Sequence, residues 1–222
     1  MSHLPCLTLL LTKSVTENYV VLCIYPLALP ISSFLNGKGI MPQLEFDSSS
    51  KTRIICFPIQ DKEMKTFETQ AFFAYHHVNA FEVNSELVLD VLAYENAGMA
   101  NGKHGFLFID NMRNEQTRMK QEREGSVWRF RLNLEDEHTS YVIPEKKILN
   151  DERTGKFIGF ELATVSPDYQ SCEYRYCYGF NGFRHGNVSN SFMDWSLVKQ
   201  DVSNGSFQIW FEECMYNYFE LS

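Results

Sequence analysis

The sequence predicts an all-β protein, and three observations support this prediction. Runs of β-branched and aromatic residues recur along the whole chain, and such residues suit the half-buried surface of a pleated sheet. Phe (18 residues) and Tyr (11 residues) are abundant. Asn-Gly pairs, which favour tight hairpin turns, separate several of the runs, at residues 36–37, 101–102, 181–182 and 204–205. No strict repeat of about 40 to 50 residues is visible, so periodicity alone predicts strands and goes no further.

The predicted strands follow one another along the chain. In order they are residues 19–25, 52–57, 71–77, 87–93, 106–109, 127–134, 159–162, 174–178, 196–199 and 205–211. The last two, joined at Asn204-Gly205, have the pattern of one hairpin. A helix is an alternative for residues 111–123 and for residues 85–92, and the second segment fits a strand better.

Length, composition and charge indicate a globular protein without affinity for nucleic acid. A chain of 222 residues, 44% of them hydrophobic, can bury one large core or two small ones. A net charge of −8 offers no basic surface to nucleic acid. The six cysteines form no Cys-x-x-Cys pair, and several lie in apolar runs. This pattern indicates reduced, buried thiols in a cytosolic protein.

No segment has the pattern of a membrane span or a signal peptide. Residues 19–35 contain two prolines and two serines and fall short of the ~20 apolar residues that a spanning helix needs. Residues 4–12 are apolar but short, and no basic region precedes them. We therefore expect a cytoplasmic protein, in peripheral contact with membranes if its substrate is taken up from them.

Residues 73–83 are the most informative segment, because they place His76 and His77 on an otherwise apolar strand. An imidazole taken out of water without a hydrogen-bond partner costs roughly 1–3 kcal/mol, so both rings need partners. The ordinary explanation of such a pair is a core histidine bonded to a carbonyl group. The residues around the pair are more specific than the pair itself.

Residues 76–82 (His-His-Val-Asn-Ala-Phe-Glu), followed by Leu-Asp-Val at 89–91, resemble a motif of the carotenoid cleavage oxygenases. That family includes the β-carotene oxygenases and the retinoid isomerohydrolase of the retinal pigment epithelium. The resemblance implies that His76 is an iron ligand, with Tyr75 in the place of the family's usual Phe. His77 falls on a variable position and is not counted as a ligand.

A second block supports the resemblance from a distance. Residues 160–163 (Phe-Glu-Leu-Ala) and 174–179 (Tyr-Arg-Tyr-Cys-Tyr-Gly) are similar to family segments in which a glutamate bonds to an iron-binding imidazole. Glu161 falls on that outer-shell position, and Ala163 stands at the family's usual Pro. Glu220 falls close to a further outer-shell glutamate position, and a plain surface glutamate is the alternative there.

A third block, residues 16–22 with Pro26-Leu27, resembles the strand that follows another ligand motif of the family. The ligand position of that motif falls on Leu11. One further ligand position would precede Met1 and one would follow Ser222. The resemblance divides the chain into a divergent segment, residues 1–15, and a partial carotenoid-oxygenase propeller domain, residues 16–222.

The resemblance implies an incomplete seven-bladed β-propeller, of which about three to four blades are present. It also implies one Fe(II) held by four neutral imidazoles, whose N–H groups bond to outer-shell glutamates that orient the rings and raise their basicity. Dioxygen then adds across a double bond of a carotenoid or retinoid. Aromatic residues near His76 suit either an apolar tunnel for the polyene or ordinary core packing: Phe72, Phe73, Tyr75 and Phe81.

Three alternatives to an oxygenase stay open. The isomerohydrolase branch of the same family acts on a retinyl ester. A non-catalytic remnant would at most bind apolar polyenes or protein partners, and we expect this chain alone to be inactive because it carries one ligand. A generic propeller that serves as an interaction module is the third. The four remaining histidines have no assigned role: His3, His104, His138 and His185. Of these, His3 is a remote candidate for a replacement ligand.

Overall fold

The computed structural model describes residues 6–8, 12–30, 44–97, 125–136, 138, 140–150, 155, 157–181, 183–184, 187–188 and 196–210. Its regular elements are β-strands, apart from one turn of 3-10 helix at Pro167–Tyr169. The all-β prediction is confirmed. None of the described helices is long and apolar enough to cross a membrane. The strand predicted at 106–109, the helical alternative at 111–123 and the turns at 36–37 and 101–102 lie outside the described residues.

Twenty strands make up the described fold. They are β1 (Cys6–Thr8), β2 (Lys13–Val15), β3 (Tyr19–Ile24), β4 (Leu27–Pro30), β5 (Glu45–Phe46), β6 (Thr52–Pro58), β7 (Lys65–Thr69), β8 (Phe73–Val83), β9 (Glu86–Tyr94), β10 (Ser126–Asn133), β11 (Ser140–Tyr141), β12 (Glu145–Lys147), β13 (Leu149–Asn150), β14 (Phe157–Ile158), β15 (Glu161–Thr164), β16 (Tyr176–Asn181), β17 (Phe183–Arg184), β18 (Asn187–Val188), β19 (Ser196–Asp201) and β20 (Phe207–Trp210).

Three of the sheets are large. The amino-terminal sheet has the order β11-β7-β6-β3-β2, the central sheet β12-β10-β9-β8, and the carboxyl-terminal sheet β15-β16-β19-β20. The remaining described strands form a smaller sheet, β1-β4-β5, and two strand pairs, β13-β14 and β17-β18. Neighbouring strands are antiparallel except that β11 runs parallel to β7. The hairpin predicted around Asn204-Gly205 is present as β19 and β20.

The three large sheets meet along one edge strand each, and we call these three edge strands the inner strands. Strand β8 of the central sheet contacts both β2 of the amino-terminal sheet and β15 of the carboxyl-terminal sheet. Sheets that meet along their inner strands in this way are consecutive blades of a β-propeller. The fold is therefore an incomplete β-propeller of about three to four blades, as the sequence predicted.

The central sheet is buried on both faces, and this explains its apolar sequence. Along β9, Leu87, Leu89 and Val91 belong to the core shared with the amino-terminal sheet. The alternate residues Val88 and Leu92 belong to the core shared with the carboxyl-terminal sheet. Because successive side chains of a strand point to opposite faces, burial on both faces demands a continuous apolar run.

The aromatic residues near His76 pack in these cores. Phe72 and Phe73 are fully buried against Tyr25 in the first core. Phe81 is buried in the second core, where its ring meets that of Tyr174 edge to face. The tunnel interpretation is therefore wrong for these three phenylalanines, because the packing of neighbouring sheets already occupies their surfaces.

Two local features fix the strands that carry the site. Strands β8 and β9 are joined by a two-residue turn in which Asn84 and Ser85 both have positive φ (50° and 34°), the conformation of a tight hairpin turn. On β16, a Cβ atom at Gly179 would lie 2.4 Å from the ring of Phe160 and 2.8 Å from the carbonyl oxygen of Glu161. Only glycine permits this close approach of β15.

A buried ion pair crosses the second core. Asp90 of β9 accepts hydrogen bonds from Arg129 Nε at 2.9 Å and Nη2 at 2.8 Å, and from the Tyr174 hydroxyl at 2.6 Å. The Asp90 side chain is completely buried. The pair therefore joins β9 and β10 to the segment that leads into the carboxyl-terminal sheet.

Asp90→Asn is expected to lower the free energy of unfolding by about 3–5 kcal/mol, because Arg129 would keep its charge in a buried position without a counter-ion. Glu86→Gln is the matched control on the same two strands, since its partner Arg131 is 52% exposed; it should change stability by about 1 kcal/mol or less. Urea denaturation of both variants checks the prediction, and equal losses would contradict it.

Candidate metal centre

The structure brings His76 and Glu161 into contact at the inner edge of the sheets. His76 lies on β8, Glu161 lies on β15, and Nδ1 of the imidazole is 2.7 Å from Oε2 of the carboxylate. Glu161 Oε2 also accepts the backbone N–H of Leu162 at 3.0 Å, and Oε1 accepts the hydroxyl of Tyr94. Three groups thus hold the carboxylate in one orientation.

The backbone around Glu161 is irregular in a way that aims this side chain. Pairing between β15 and β16 shifts register between Glu161 and Thr164, and Leu162 has a φ of +55°. A branched-chain residue with positive φ is rare and carries strain. The irregularity places the Leu162 N–H on the carboxylate of Glu161 instead of on the neighbouring strand.

The other ring nitrogen of His76 has no hydrogen-bond partner among the described residues, and the side chain is 41% exposed. A carboxylate that accepts the Nδ1–H of an imidazole fixes the neutral tautomer in which Nε2 carries a free lone pair. His76 is therefore the candidate ligand of the two adjacent histidines, with one ring nitrogen held by a carboxylate and the other exposed.

His77 has the opposite environment. Its Nδ1 lies 2.9 Å from Ser14 Oγ and its Nε2 lies 3.5 Å from the Tyr25 hydroxyl, both on the side of the amino-terminal sheet. Burial, together with the adjacent His76, lowers the pKa of His77 to about 3, so the ring is neutral. Both nitrogens already have protein partners, and the ring offers no free lone pair to a metal.

Asn79 joins the central sheet to the loop before β16. Its Nδ2 group donates to the carbonyl oxygens of Tyr169 and Cys172, each at 3.0 Å. Its Oδ1 accepts the N–H of Ser171 at 3.0 Å, and Ser171 has a φ of +61°. The asparagine of the motif is therefore a structural clamp on this loop.

Glu82 likewise joins the central sheet to a loop, in this case the turn between β2 and β3 of the amino-terminal sheet. Its Oε1 accepts Thr16 Oγ1 at 2.5 Å and the Asn18 N–H at 2.9 Å, and its Oε2 accepts Asn18 Nδ2 at 2.9 Å. Partial burial alone would raise the pKa of Glu82, but these hydrogen bonds outweigh it and hold the pKa below its ordinary value. Two segments of the family resemblance, residues 16–22 and 76–82, thus bind each other.

Two residues that hold this site were not predicted from the sequence. Tyr94, at the end of β9, donates a hydrogen bond to Glu161, and the hydroxyl of Ser14 forms a hydrogen bond with Nδ1 of His77. Neither residue lies within the motif that pointed to its partner, so the sequence held no local signal for the contacts. The hydroxyl of Tyr75 is buried without a hydrogen-bond partner among the described residues, and burial and the nearby Glu161 raise its pKa.

Several candidates from the sequence lie outside the described residues: His3, Leu11, His104, His185 and Glu220. His138 is described, and it is exposed. Among the residues that the structure describes, no three His, Cys, Asp or Glu side chains stand together as they would around a metal ion. The described part of the site therefore brings together one imidazole and one carboxylate, His76 and Glu161.

Comparison with known proteins decides the family. Residues 12–217 match the protein family described as retinal pigment epithelial membrane protein. The chain belongs to this family. The match agrees with the resemblance to the carotenoid cleavage oxygenases seen in the motifs, and the relatives below show that it is a family of enzymes.

Curated relatives include the apocarotenoid-15,15'-oxygenase of Synechocystis, 24% identical over 87% of this chain and 35% of the relative. The carotenoid isomerooxygenase of Galleria mellonella is 24% identical over 92% of this chain and 38% of the relative. The beta,beta-carotene 15,15'-dioxygenase of Gallus gallus is 33% identical over 36% of this chain and 16% of the relative. The chain thus spans little more than a third of the first two relatives.

Solved structures agree on the fold. A variant of Synechocystis ACO has a TM-score of 0.70 at 20% identity, over 93% of this chain and 39% of the other. The crystal structure of cobalt-substituted Synechocystis ACO has a TM-score of 0.69 at 20% identity, over 92% of this chain and 38% of the other. At this level of identity the likeness shows the fold alone.

Glu82→Gln is expected to lower the free energy of unfolding at pH 7 by about 1–2 kcal/mol, because hydrogen bonds to an ionised carboxylate are lost. The pKa of Glu82 is lower in the folded protein than its ordinary value of 4.5. The ionised group therefore stabilises the fold above pH 4.5, and this stabilisation is lost as the pH falls through the folded-state pKa.

Denaturant titrations at a series of pH values check this prediction. The difference between the wild-type protein and Glu82→Gln should shrink as the pH falls below 4.5. Glu17→Gln, at an exposed position in the same turn, is the control and should show little difference at any pH. A constant difference for Glu82→Gln down to acid pH would contradict the assignment.

Proposed function

We propose that this chain contributes the ligand His76, oriented by Glu161, to the Fe(II) centre of an enzyme that oxidatively cleaves a double bond of a carotenoid or retinoid. The observation that carries the proposal is the contact between His76 Nδ1 and Glu161 at 2.7 Å. It leaves Nε2 of a half-exposed ring without a partner among the described residues.

The ligand chemistry supports a transition metal of the iron type. Neutral imidazole binds iron, cobalt and zinc, whereas magnesium and calcium prefer oxygen ligands. The Synechocystis protein with the same fold has been obtained in a cobalt-substituted form. When bound, Fe(II) supplies the activation of dioxygen in oxygenases of this kind. What the described residues supply is one imidazole with a fixed tautomer.

The residues around Glu161 explain how the imidazole would be held. Tyr94 and the Leu162 N–H donate to the carboxylate, which in turn accepts the His76 N–H. A ring fixed at Nδ1 keeps Nε2 directed at one point, which lowers the cost of ordering the ligand when a metal binds. The carboxylate also offsets part of the charge that neutral imidazoles leave on a divalent ion.

The substrate class is proposed from the relatives. Their names describe action on carotenoids and apocarotenoids, and they are oxygenases, isomerooxygenases and dioxygenases. We therefore favour oxidative cleavage over the isomerohydrolase reaction. Polyene and dioxygen would be the co-substrates of the complete protein.

A non-catalytic role is the second candidate, and a specific observation favours it. The ligand position of the amino-terminal motif holds Leu11 in this sequence, and an aliphatic side chain cannot bind iron. Metal affinity comes from several ligands presented together. A protein that lacks one imidazole of four could retain the fold and an apolar surface without turnover.

The chain by itself is expected to bind Fe(II) weakly, because the described residues present one free imidazole at the site. His76→Ala should remove the residual binding, whereas His138→Ala, at an exposed position, should leave it unchanged. Anaerobic equilibrium dialysis with metal analysis measures both. Stoichiometric iron that survives a chelator would contradict the single-ligand assignment and require substitute ligands.

In a protein that contains this segment together with the remaining part of the fold, His76→Ala should abolish iron retention and polyene cleavage together. Glu161→Gln should keep the ligand but lower metal affinity or activity by about 10–100-fold, the usual cost of an altered outer-shell partner. His77→Ala should be milder for the metal, because both of its nitrogens bond within the protein. Loss of iron with His77→Ala and retention with His76→Ala would refute the proposal.

A further inference from the structure

The two members of the candidate site stand on different sheets. His76 lies on β8 of the central sheet, and Glu161 lies on β15 of the carboxyl-terminal sheet. Among the described strands, no ladder of backbone hydrogen bonds joins β8 to β15, although the two strands are in contact. Contacts outside the strand pairing must therefore fix the distance between the imidazole and the carboxylate.

Strand β15 is too short and irregular to fix this distance by itself. It pairs with β16 at Glu161 and at Thr164, and the register changes between these two positions. Leu162, which lies between them, has a φ of +55° and directs its N–H to the Glu161 carboxylate. The position of Glu161 therefore depends on what holds the chain where it leaves β15.

Asn79 of β8 holds the segment that follows β15. We call this segment, residues 165–175, the clamp loop. The buried Asn79 amide donates to the carbonyl oxygens of Tyr169 and Cys172, each at 3.0 Å. Its oxygen accepts the N–H of Ser171 at 3.0 Å. Because an asparagine amide both donates and accepts, one side chain of the central sheet fixes three consecutive turns of backbone polarity in this loop.

An extra residue in β8 turns Asn79 towards the clamp loop. From His77 to Asn79 strand β8 advances by two residues, whereas β9 advances by one, from Val91 to Asp90. Val78 packs in the second core, on the same side as Asn79, although successive side chains of a regular strand alternate. Without the extra residue Asn79 would point towards the amino-terminal sheet, as His77 does. Such bulges re-aim side chains beside functional sites.

We propose that Asn79 is a positioning residue of this site: by holding the clamp loop, it sets where the Glu161 carboxylate stands against the His76 imidazole. His76 and Asn79 attach β8 to both ends of one segment, which starts at Glu161 and ends in the clamp loop. Two attachments prevent β15 from sliding or tilting against β8, which a single contact between two side chains cannot do. The effect on His76 requires no metal, whereas an effect on metal binding rests on the proposed function.

Glu82 provides a matched control for this role. It lies on the same strand as Asn79 and also joins that strand to a loop through three hydrogen bonds. Those bonds reach Thr16 and Asn18 of the amino-terminal sheet, on the opposite side of β8 from Glu161. Variants at both positions loosen an attachment of the central sheet, but only Asn79 holds the chain that carries Glu161. A loss of stability alone would therefore affect His76 equally in both variants.

The tautomer of His76 in the metal-free 222-residue chain tests the proposal. Nitrogen chemical shifts of labelled histidine, recorded at about pH 9 where an ordinary imidazole is neutral, distinguish a proton on Nδ1 from one on Nε2, and His76→Ala identifies the signals. In the wild-type chain the proton should lie on Nδ1, which bonds to Glu161. Asn79→Ala should lower the ratio of the Nδ1–H to the Nε2–H tautomer at least about fivefold, because the bond that favours the first tautomer is weakened. Glu82→Gln should leave the ratio unchanged.

An unchanged ratio in Asn79→Ala overturns the proposal, as does an equal fall in both variants. Circular dichroism confirms that the variants fold. If Asn79→Ala does not fold, Ser171→Ala replaces it, because the hydroxyl of the exposed Ser171 ties the clamp loop to the carbonyl oxygen of Val15 on β2 at 2.6 Å. Ser171→Ala should lower the ratio at least about twofold, and an unchanged ratio in this variant overturns the proposal as well.

Fe(II) affinity separates this inference from the proposed function. It is measured anaerobically against a competing chelator, in a protein that contains this segment together with the remaining part of the fold. Asn79→Ala should lower the affinity about tenfold, as the displacement of an outer-shell partner does, and Glu82→Gln should not. A changed tautomer with an unchanged affinity would support the positioning role and overturn the assignment of His76 as an iron ligand. An unchanged tautomer would overturn the positioning role and leave the iron proposal intact.

Discussion

Burial of the central sheet from both sides is the constraint on which the rest of this structure depends. Strand β9 is apolar at nearly every position, because its alternate side chains enter two different cores; the exceptions are Glu86 at its start and Asp90. Polar groups that belong to the sheet are consequently confined to its inner edge or must be paired, as Asp90 is with Arg129 and Tyr174. The site is polar because it lies at the edge of the central sheet, outside both apolar cores.

This constraint explains the unusual mixture of residues in 76–82. Strand β8 forms the inner edge of the central sheet and touches both neighbouring sheets. His76 and Asn79 bond to the carboxyl-terminal side, whereas His77 and Glu82 bond to the amino-terminal side. Irregular pairing between β8 and β9 at His77 accompanies this division. Most polar residues of this motif therefore hold the three sheets together by hydrogen bonds, and only His76 keeps a ring nitrogen without a partner among the described residues.

The sequence predicted strands better than it predicted the side-chain contacts between sheets. The runs of apolar residues predicted β9 and the β19–β20 hairpin, because alternation and turn residues are local signals. The strand expected at 159–162 instead starts at Glu161, since Phe160 bridges to Gly125 from a distant part of the chain. The contact of His76 with Glu161 followed from the family resemblance alone. Tyr94, Ser14 and the clamps at Asn79 and Glu82 depend on contacts between sheets, and single-sequence patterns contain no signal for them.

The same geometry couples the candidate ligand to the packing of the fold. His76 stands on the central sheet, whereas its orienting carboxylate stands on the carboxyl-terminal sheet, so the 2.7 Å contact exists only while the two sheets are packed. Gly179 and the positive φ of Leu162 hold β15 close enough for that contact. Interactions that stabilise the second core, such as the buried Asp90–Arg129 pair, therefore also fix the tautomer and direction of the imidazole. By linkage, a metal bound at Nε2 would in turn stabilise the packing of these two sheets, because it binds the folded arrangement and not the separated strands.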